Sequence, residues 1–311
     1  MMRILEKARV PPYLHKSSNH VYTVWQHLVL LTLRQYERKS YRRFVEFLEE
    51  AFGVVGFLGL SRIPHYTTLQ KAAARLRHGM LLRMLESFLA YCQVSRMLAG
   101  MDATGLSHGQ ASYYYTKKFK LRRKFVKITI CADLKRQLVC CIKIRHRRRN
   151  DMHDFTPLLR KLTGLASIGT VVADRGFDSE QNHVDARKLR VGRCIIRPRY
   201  ENLKPSKTRG EHRRRMKRRF PWKTYHQRSK VETIFSVIKG MLGDSVTSRS
   251  IVTQNRETLY RVIAYNCYRI TRNYFVIFGC FLHGYFVIEL SGAITLSRSS
   301  QTCMWKRSMT W

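Results

Sequence analysis

Ser167-Ile168-Gly169-Thr170-Val171-Val172-Ala173-Asp174 is a short apolar run that stops on an acid. Its length and β-branched content read as a buried strand. The pattern recurs upstream in Met97-Leu98-Ala99-Gly100-Met101-Asp102, again a short apolar run that ends on an acid. Between the two, residues 125–133 and 138–144 are β-rich and separated only by Leu134–Gln137, which predicts a hairpin. Downstream, residues 178–190 read as a helix, 193–196 as a strand, and 225–241 and 259–274 as helices. Strands followed by alternating helix and strand specify an α/β core with a mixed sheet. Residues 21–95 read as helical. Ser40 is a candidate cap, residues 53–59 form a glycine-rich break, and Thr67 with Gln70 form an expected capping box. These short helices with basic faces suit a DNA-binding arm, and a plain bundle fits almost as well.

Charge separates this chain from ordinary globular proteins. Its 311 residues carry 59 Lys+Arg against 20 Asp+Glu, a formal net charge of +39. A hydrophobic content of 44% excludes a disordered chain, so the excess charge points to a polyanionic partner rather than to lack of a core. The first residues hold no apolar leader, and the longest apolar run, residues 275–288, is 14 residues long. A membrane span needs roughly 20, so a soluble, cytoplasmic and nucleoid-associated protein is expected, with no membrane partner. The eight cysteines form no CxxC pair, which fits free thiols in a reducing compartment.

The basic residues are clustered. Residues 197–224 hold 12 Lys or Arg against two acids, with Tyr200, Phe220 and Trp222 interleaved. Residues 117–127 hold seven, including Lys117 and Lys118, and Arg145-His146-Arg147-Arg148-Arg149 is a third cluster. Three such clusters around one core predict a groove that tracks phosphates, with Arg213, Arg214 and Arg215 as candidate contacts.

In so acid-poor a chain, two strand-end aspartates stand out. Asp102 and Asp174 would sit side by side if their strands are neighbours. Asp151, Asp154, Asp178 and Asp185 read instead as caps or surface residues. A third acid lies on the helix at 225–241. At about 100° per residue, Glu232 lies about 40° from Arg228, Lys239 about 20° and Tyr225 about 60°. Val231, Ile234, Ile238 and Leu242 form the adjacent apolar face. Three carboxylates in a basic protein suit Mg²⁺-dependent phosphoryl transfer, for which two ions can serve the attacking and leaving oxygens.

These motifs resemble the DDE transposases of prokaryotic insertion sequences, in the group with a Y-R-E-K signature. Met101-Asp102-Ala103-Thr104-Gly105 is similar to that family's first motif and Ala173-Asp174-Arg175-Gly176-Phe177-Asp178 to its second. Tyr225-x2-Arg228-x3-Glu232-x6-Lys239 is similar to its third, with the spacing intact. The resemblance covers about residues 20–272. It implies an RNase H-like catalytic core over 96–274, behind a helical N-terminal DNA-binding region at 1–95. It also implies catalysis and metal binding by Asp102, Asp174 and Glu232, with Mg²⁺, or Mn²⁺ in its place, as cofactor.

Tyr225, Arg228 and Lys239 would contact double-stranded DNA, both the terminal inverted repeats of the element and the target. Hydrolytic nicking followed by 3′-OH strand transfer, in a homodimer or larger synaptic complex, is the implied activity. Residues 275–311 depart from the family. Two readings stay open for them, a packing helix or a read-through tail. The second would make the chain a decayed, inactive DNA-binding protein, which is the alternative function.

Overall fold

The computed structural model describes residues 1–279 apart from 18–19, 109–124, 148 and 201, together with 285–286 and 297–298. The chain divides into two compact units, Met1–Asn266 and Cys267–Trp311. The first opens with helices α1 (Met2–Lys7), α2 (Val24–Tyr36), α3 (Tyr41–Glu50), α4 (Phe52–Phe57), α5 (Tyr66–Arg75) and α6 (His78–Tyr91). Ser40 caps α3 as expected, accepting from Arg43 N at 3.3 Å. The capping box stands elsewhere, between Thr23 and Gln26 at the start of α2. At residues 65–70 the helix begins two residues earlier, with His65 rather than Thr67 in the cap position, and the Thr67 hydroxyl pairs with His65 Nδ1 at 2.8 Å. The expected break at 53–59 is mostly α4, because Val54 and Val55 close a turn on the Ala51 carbonyl.

Strands β1 (Arg96–His108), β2 (Phe125–Asp133), β3 (Leu138–Arg145), β4 (Ser167–Ala173) and β5 (Arg193–Ile196) form a mixed sheet in the order β3-β2-β1-β4-β5. The two-residue β6 (Ser245–Val246) adds to the end of β1. The expected hairpin is the antiparallel pair β2–β3, whose turn places Gln137 at φ 57°. β1 runs parallel to β4, and β4 to β5. This is a mixed α/β architecture, consistent with the RNase H-like core implied by the motifs.

Alternation along β1 assigns the two faces of the sheet. Ala99 and Met101 join a core with Phe155, Leu159 and Leu162 of α7 (Met152–Thr163). Gly100 points the other way, toward α11 (Ser229–Leu242), whose Val231, Ile234, Ile238 and Leu242 are buried. A Cβ on Gly100 would lie 2.5 Å from Leu134 Cδ2 and 2.6 Å from Val231 Cγ2. Only glycine lets this helix approach the strand so closely.

Two acids read as caps or surface residues are buried instead. Asp154 is fully buried; it accepts from Thr129 Oγ1 at 3.0 Å and from Arg145 Nε at 2.7 Å. Asp178 is 5% exposed. It accepts from Arg199 N at 2.8 Å and, from Arg213, Nη2 at 2.7 Å and Nε at 2.9 Å. Burial of a carboxylate is tolerable when its oxygens are paired in this way.

Arg213 lies on α9 (Glu211–Arg218), within the basic stretch that the sequence shows only as polar chain. Glu180, the first residue of α8 (Glu180–Lys188), accepts from His212 N at 2.9 Å and Arg213 N at 3.1 Å, satisfying free donors of the α9 N-terminus. Gly210 turns the chain into α9 at φ 95°, a conformation that favours glycine.

The helix expected over 225–241 is composite. It comprises α10 (Trp222–Tyr225), a 3₁₀ turn (His226–Arg228) and α11. Last comes α12 (Ile251–Gly279). Its Asn266 side chain pairs with both backbone groups of Val139 on β3, accepting from N at 3.0 Å and donating to O at 2.8 Å. In the second unit Tyr285–Phe286 pairs antiparallel with Ser297–Arg298, and most of 275–311 lies outside the described residues. Among the described residues no helix is long and apolar enough to cross a membrane.

Replacing Gly100 with alanine should cost about 1–3 kcal/mol of stability, the usual penalty of overpacking a tight core contact. Denaturant unfolding of the full chain would measure it.

Burial holds His183, on α8 and 3% exposed, at a pKa lowered to about 4. The folded chain then binds fewer protons than the unfolded one between pH 6.5 and about 4. Stability should therefore be lost as pH falls through that window. A plot of Tm against pH should be flatter there for His183→Asn than for wild type.

Candidate active site

The pairing of β1 with β4 ends at Met101 opposite Ala173. The next residue on each strand is an aspartate, Asp102 and Asp174, so parallel register alone brings them together. Asp174 follows the last residue of β4, as the sequence suggests. Asp102 does not end its strand. β1 continues to His108, because β2 goes on pairing with it as far as Ser107 opposite Phe125.

Asp102 shares the α11 face of β1 with Gly100, and α11 supplies the next layer. Arg228 Nη1 donates to Asp102 Oδ2 at 3.0 Å, while its Nη2 donates to Glu232 Oε1 at 2.6 Å. One guanidinium thus joins two of the three acids, using the planar fork that suits it to carboxylates. Tyr225, 5% exposed, donates its hydroxyl to Asp174 Oδ1 at 3.3 Å. Lys239 Nζ donates to Thr104 Oγ1 at 2.7 Å, two residues beyond Asp102. The stripe of Tyr225, Arg228, Glu232 and Lys239 read from helical spacing therefore faces the two aspartates, although a 3₁₀ turn interrupts the helix.

Desolvation dominates the electrostatics of Asp102. Burial raises the Asp102 pKa to about 6, against the lowering effects of the Ala103 N–H and Arg228. The Asp174 and Glu232 charges push it further up. Burial also lifts Tyr225, which keeps its phenol protonated and able to donate. Glu232 is open to solvent, with its side chain 56% exposed against 16% for Asp102.

Two arginines behind the aspartates, Arg199 and Arg213, hold the turn after β4, and sequence reading missed them. Arg199 donates through Nε to Arg175 O at 2.9 Å and through Nη2 to Gly176 O at 2.7 Å, while its backbone N–H binds Asp178. Arg213, expected to contact DNA, is spent on Asp178. Arg214 and Arg215 on the same helix are exposed. The available signal was the second acid of Asp174-x3-Asp178, which needs a basic partner once it is buried. Lys117 and Lys118 lie outside the described residues. Beside the aspartates a cavity of about 380 Å³ is lined by Thr104, Lys127, Arg149, Asp151 and Arg199 among others. Trp222 is half exposed and edge-on to Phe220, with ring centroids 4.7 Å apart.

A family model described as a transposase DDE domain matches residues 98–267, more than half of the chain. The chain belongs to the DDE transposase family. The match takes in the mixed sheet, both aspartates and the whole Tyr225–Lys239 stripe. No curated protein matches the chain. Enzymes of this family act in DNA transposition, bind DNA and use divalent metal ions.

The donor chemistry of the site fits such an ion. Its acids offer only oxygen ligands, the preference of Mg²⁺ and Mn²⁺. Burial disfavours ionisation of Asp102 and is the main cause of its raised pKa, a cost that a bound cation would offset. Among the described residues no three His, Cys, Asp or Glu side chains stand close enough to hold one ion as they are. Arg228 lies between Asp102 and Glu232 and supplies the positive charge there.

Arg228→Gln should raise the pKa of Asp102 further, since it removes a lowering charge and leaves the burial in place. An NMR titration of the metal-free carboxyl would show it, and an unchanged value would mean that Arg228 does not face Asp102 in solution.

Proposed function

We propose that this chain is a metal-dependent DNA transposase of the Y-R-E-K group, in which Asp102, Asp174 and Glu232 carry catalysis and hold the metal. In this reading it cuts at the ends of an insertion sequence and joins the freed 3′-OH to target DNA. One observation carries the proposal. The strand register that places Asp102 beside Asp174 also presents both to a helix whose Arg228 bridges Asp102 and Glu232. Chance surface acids would have no reason to converge from three segments so far apart in a chain this poor in them.

The three carboxylates would hold Mg²⁺ or Mn²⁺, two ions being the number that in-line phosphoryl transfer uses. When bound, such ions supply a deprotonated oxygen nucleophile and stabilise the leaving oxygen. The chain's own residues do the rest. Arg228 and Lys239 present cations to the phosphates of a bound strand, where charge-assisted bonds are short and directional. Tyr225 orients the Asp174 carboxylate through its hydroxyl, in a pocket formed with Phe220 and Trp222. Exposed Arg214 and Arg215 add sequence-independent attraction for the double helix. The partners in this reading are the terminal inverted repeats of the element and its target DNA, held by a homodimer or larger synaptic complex.

Glu232→Gln and Asp174→Asn should each abolish cleavage of DNA carrying the gene's own flanks while leaving binding within a few-fold of wild type. The assay compares Mg²⁺, Mn²⁺ and chelator. Cuts at the element boundary that need metal and vanish in both variants support the reading. A variant that cuts as well as wild type sinks the assignment of that residue.

A further inference from the structure

Helix α4 buries none of its six residues. Phe52 is 79% exposed and Phe57 78%, the highest values among the described large hydrophobic residues. They stand at opposite ends of the helix, about 8 Å apart along its axis at 1.5 Å per residue. The surrounding stretch, Ala51-Phe52-Gly53-Val54-Val55-Gly56-Phe57-Leu58-Gly59-Leu60, carries no polar side chain in a protein of which 25% is charged. Single exposed apolar residues are ordinary, whereas two bare phenylalanines on one short helix mark an interaction surface.

Charge decides what kind of partner fits. α3 ends where α4 begins, at Ala51, whose N–H donates to Phe47 O at 3.0 Å and whose carbonyl accepts from Val54 N at 2.9 Å. The last turns of α3 carry Glu46, Glu49 and Glu50, spaced i, i+3 and i+4, so they share one face, and all are exposed. Among the described residues none of the three makes an ion pair or a side-chain hydrogen bond. Like charges at this spacing repel each other, and negative charge is disfavoured at a helix C-terminus. Helix α3 thus gains nothing from these acids by itself, and the 59 Lys and Arg of the same chain do not neutralise them. Such a patch repels a polyanion. Its complement is a protein face that combines exposed apolar groups with free cations.

The chain itself carries a face of that kind. Tyr200, 72% exposed, and Leu203, 46% exposed, precede the exposed Lys204 and Lys207. Lys217 on α9 fixes this segment, its Nζ donating to Tyr200 O at 2.5 Å and to Leu203 O at 3.0 Å. Among the described residues the Lys204 and Lys207 ammonium groups make no ion pair or hydrogen bond. Two apolar side chains with two cations match, in kind, two phenylalanines with three carboxylates. Because Phe52, Phe57 and Tyr200 all stay exposed, the two faces do not cover each other within one chain, and a second copy supplies the missing half.

We propose that α4, with the acidic end of α3, docks on residues 200–207 of a second copy of this chain. In a two-fold pair the contact forms twice, once in each direction. The inference rests on the transposase reading only for the expectation that copies assemble, and on no catalytic assignment. It turns that expectation into a named surface, one that leaves the most basic faces of both copies free.

The test is sedimentation velocity of the full chain, freed of nucleic acid, over a range of concentrations. Wild type should self-associate, and more weakly at high salt, because the interfacial ion pairs are screened. Phe52→Ser combined with Phe57→Ser should raise the dissociation constant by roughly tenfold or more, the effect of truncating buried aromatic anchors. Its Tm should match that of wild type, since neither side chain is packed within the chain.

Glu49→Lys with Glu50→Lys should also weaken association, as should Lys204→Glu with Lys207→Glu. Mixing these two charge-reversed proteins should restore association to near the wild-type level, because each then meets its complement in both directions. A wild-type chain that stays monomeric throughout overturns the contact. So does a phenylalanine variant that associates like wild type, or a mixture no stronger than its components. Glu232→Gln should associate as wild type does while its cleavage is read separately, so failure of the catalytic assignment and failure of this inference cannot be confused.

Discussion

The parallel pairing of β1 with β4 is the constraint on which the polar centre depends. It sets Met101 opposite Ala173 and so delivers Asp102 and Asp174 as neighbours by backbone register alone. Side chains alternate along a strand, so a slip of one residue would turn one carboxylate to the opposite face. The register is in turn held by apolar packing. Ala99, Met101, Val171 and Ala173 share a core with the α7 side chains, and hydrophobic burial there resists any slide. The absence of a side chain at Gly100 then sets how near α11 comes, and with it the reach of Arg228 and Glu232.

Acid scarcity shapes the rest of the molecule. With 20 acids against 59 Lys and Arg, the chain uses its buried carboxylates as internal anchors for arginine. Asp154 holds Arg145, Asp178 holds Arg213 and Glu257 holds Arg261. The first two tie together segments that the sheet alone would not connect, whereas Glu257 and Arg261 lie one turn apart on α12, and Asp178 fastens the basic stretch at 197–224 to the turn carrying Asp174. Few acids remain to dilute the outer surface, so its field is strongly positive and must be screened by salt or met by a polyanion.

Much of this was legible in the sequence. Short apolar runs, a hairpin turn of four residues and acids at strand positions announce the sheet because strand patterning is local. The face shared by Arg228, Glu232 and Lys239 was legible for the same reason, since helical spacing survives a single 3₁₀ turn. Partnership across long distances was not. Nothing near Asp154 or Asp178 in the chain reveals that Arg145 and Arg213 will fold onto them, so both acids looked like caps. The extent of β1 beyond Asp102 was hidden as well, because polar Thr104 and Gly105 break the apolar run while β2 still pairs with the backbone.

The side chain of Asn266 has a bearing on how copies of this chain can meet. β3 is the outer strand of the sheet, and an outer strand offers unpaired backbone to any passing chain. Here one amide occupies both free groups of Val139, imitating the next strand for the length of one residue. Tyr265 covers the adjoining turn through its bond to the Gln137 carbonyl at 2.9 Å. Exposed Lys143 charges the remainder of the strand, a further deterrent to stacking of like on like. The outer strand is thus covered at its first residues, and lengthening of the sheet by strand addition is discouraged there.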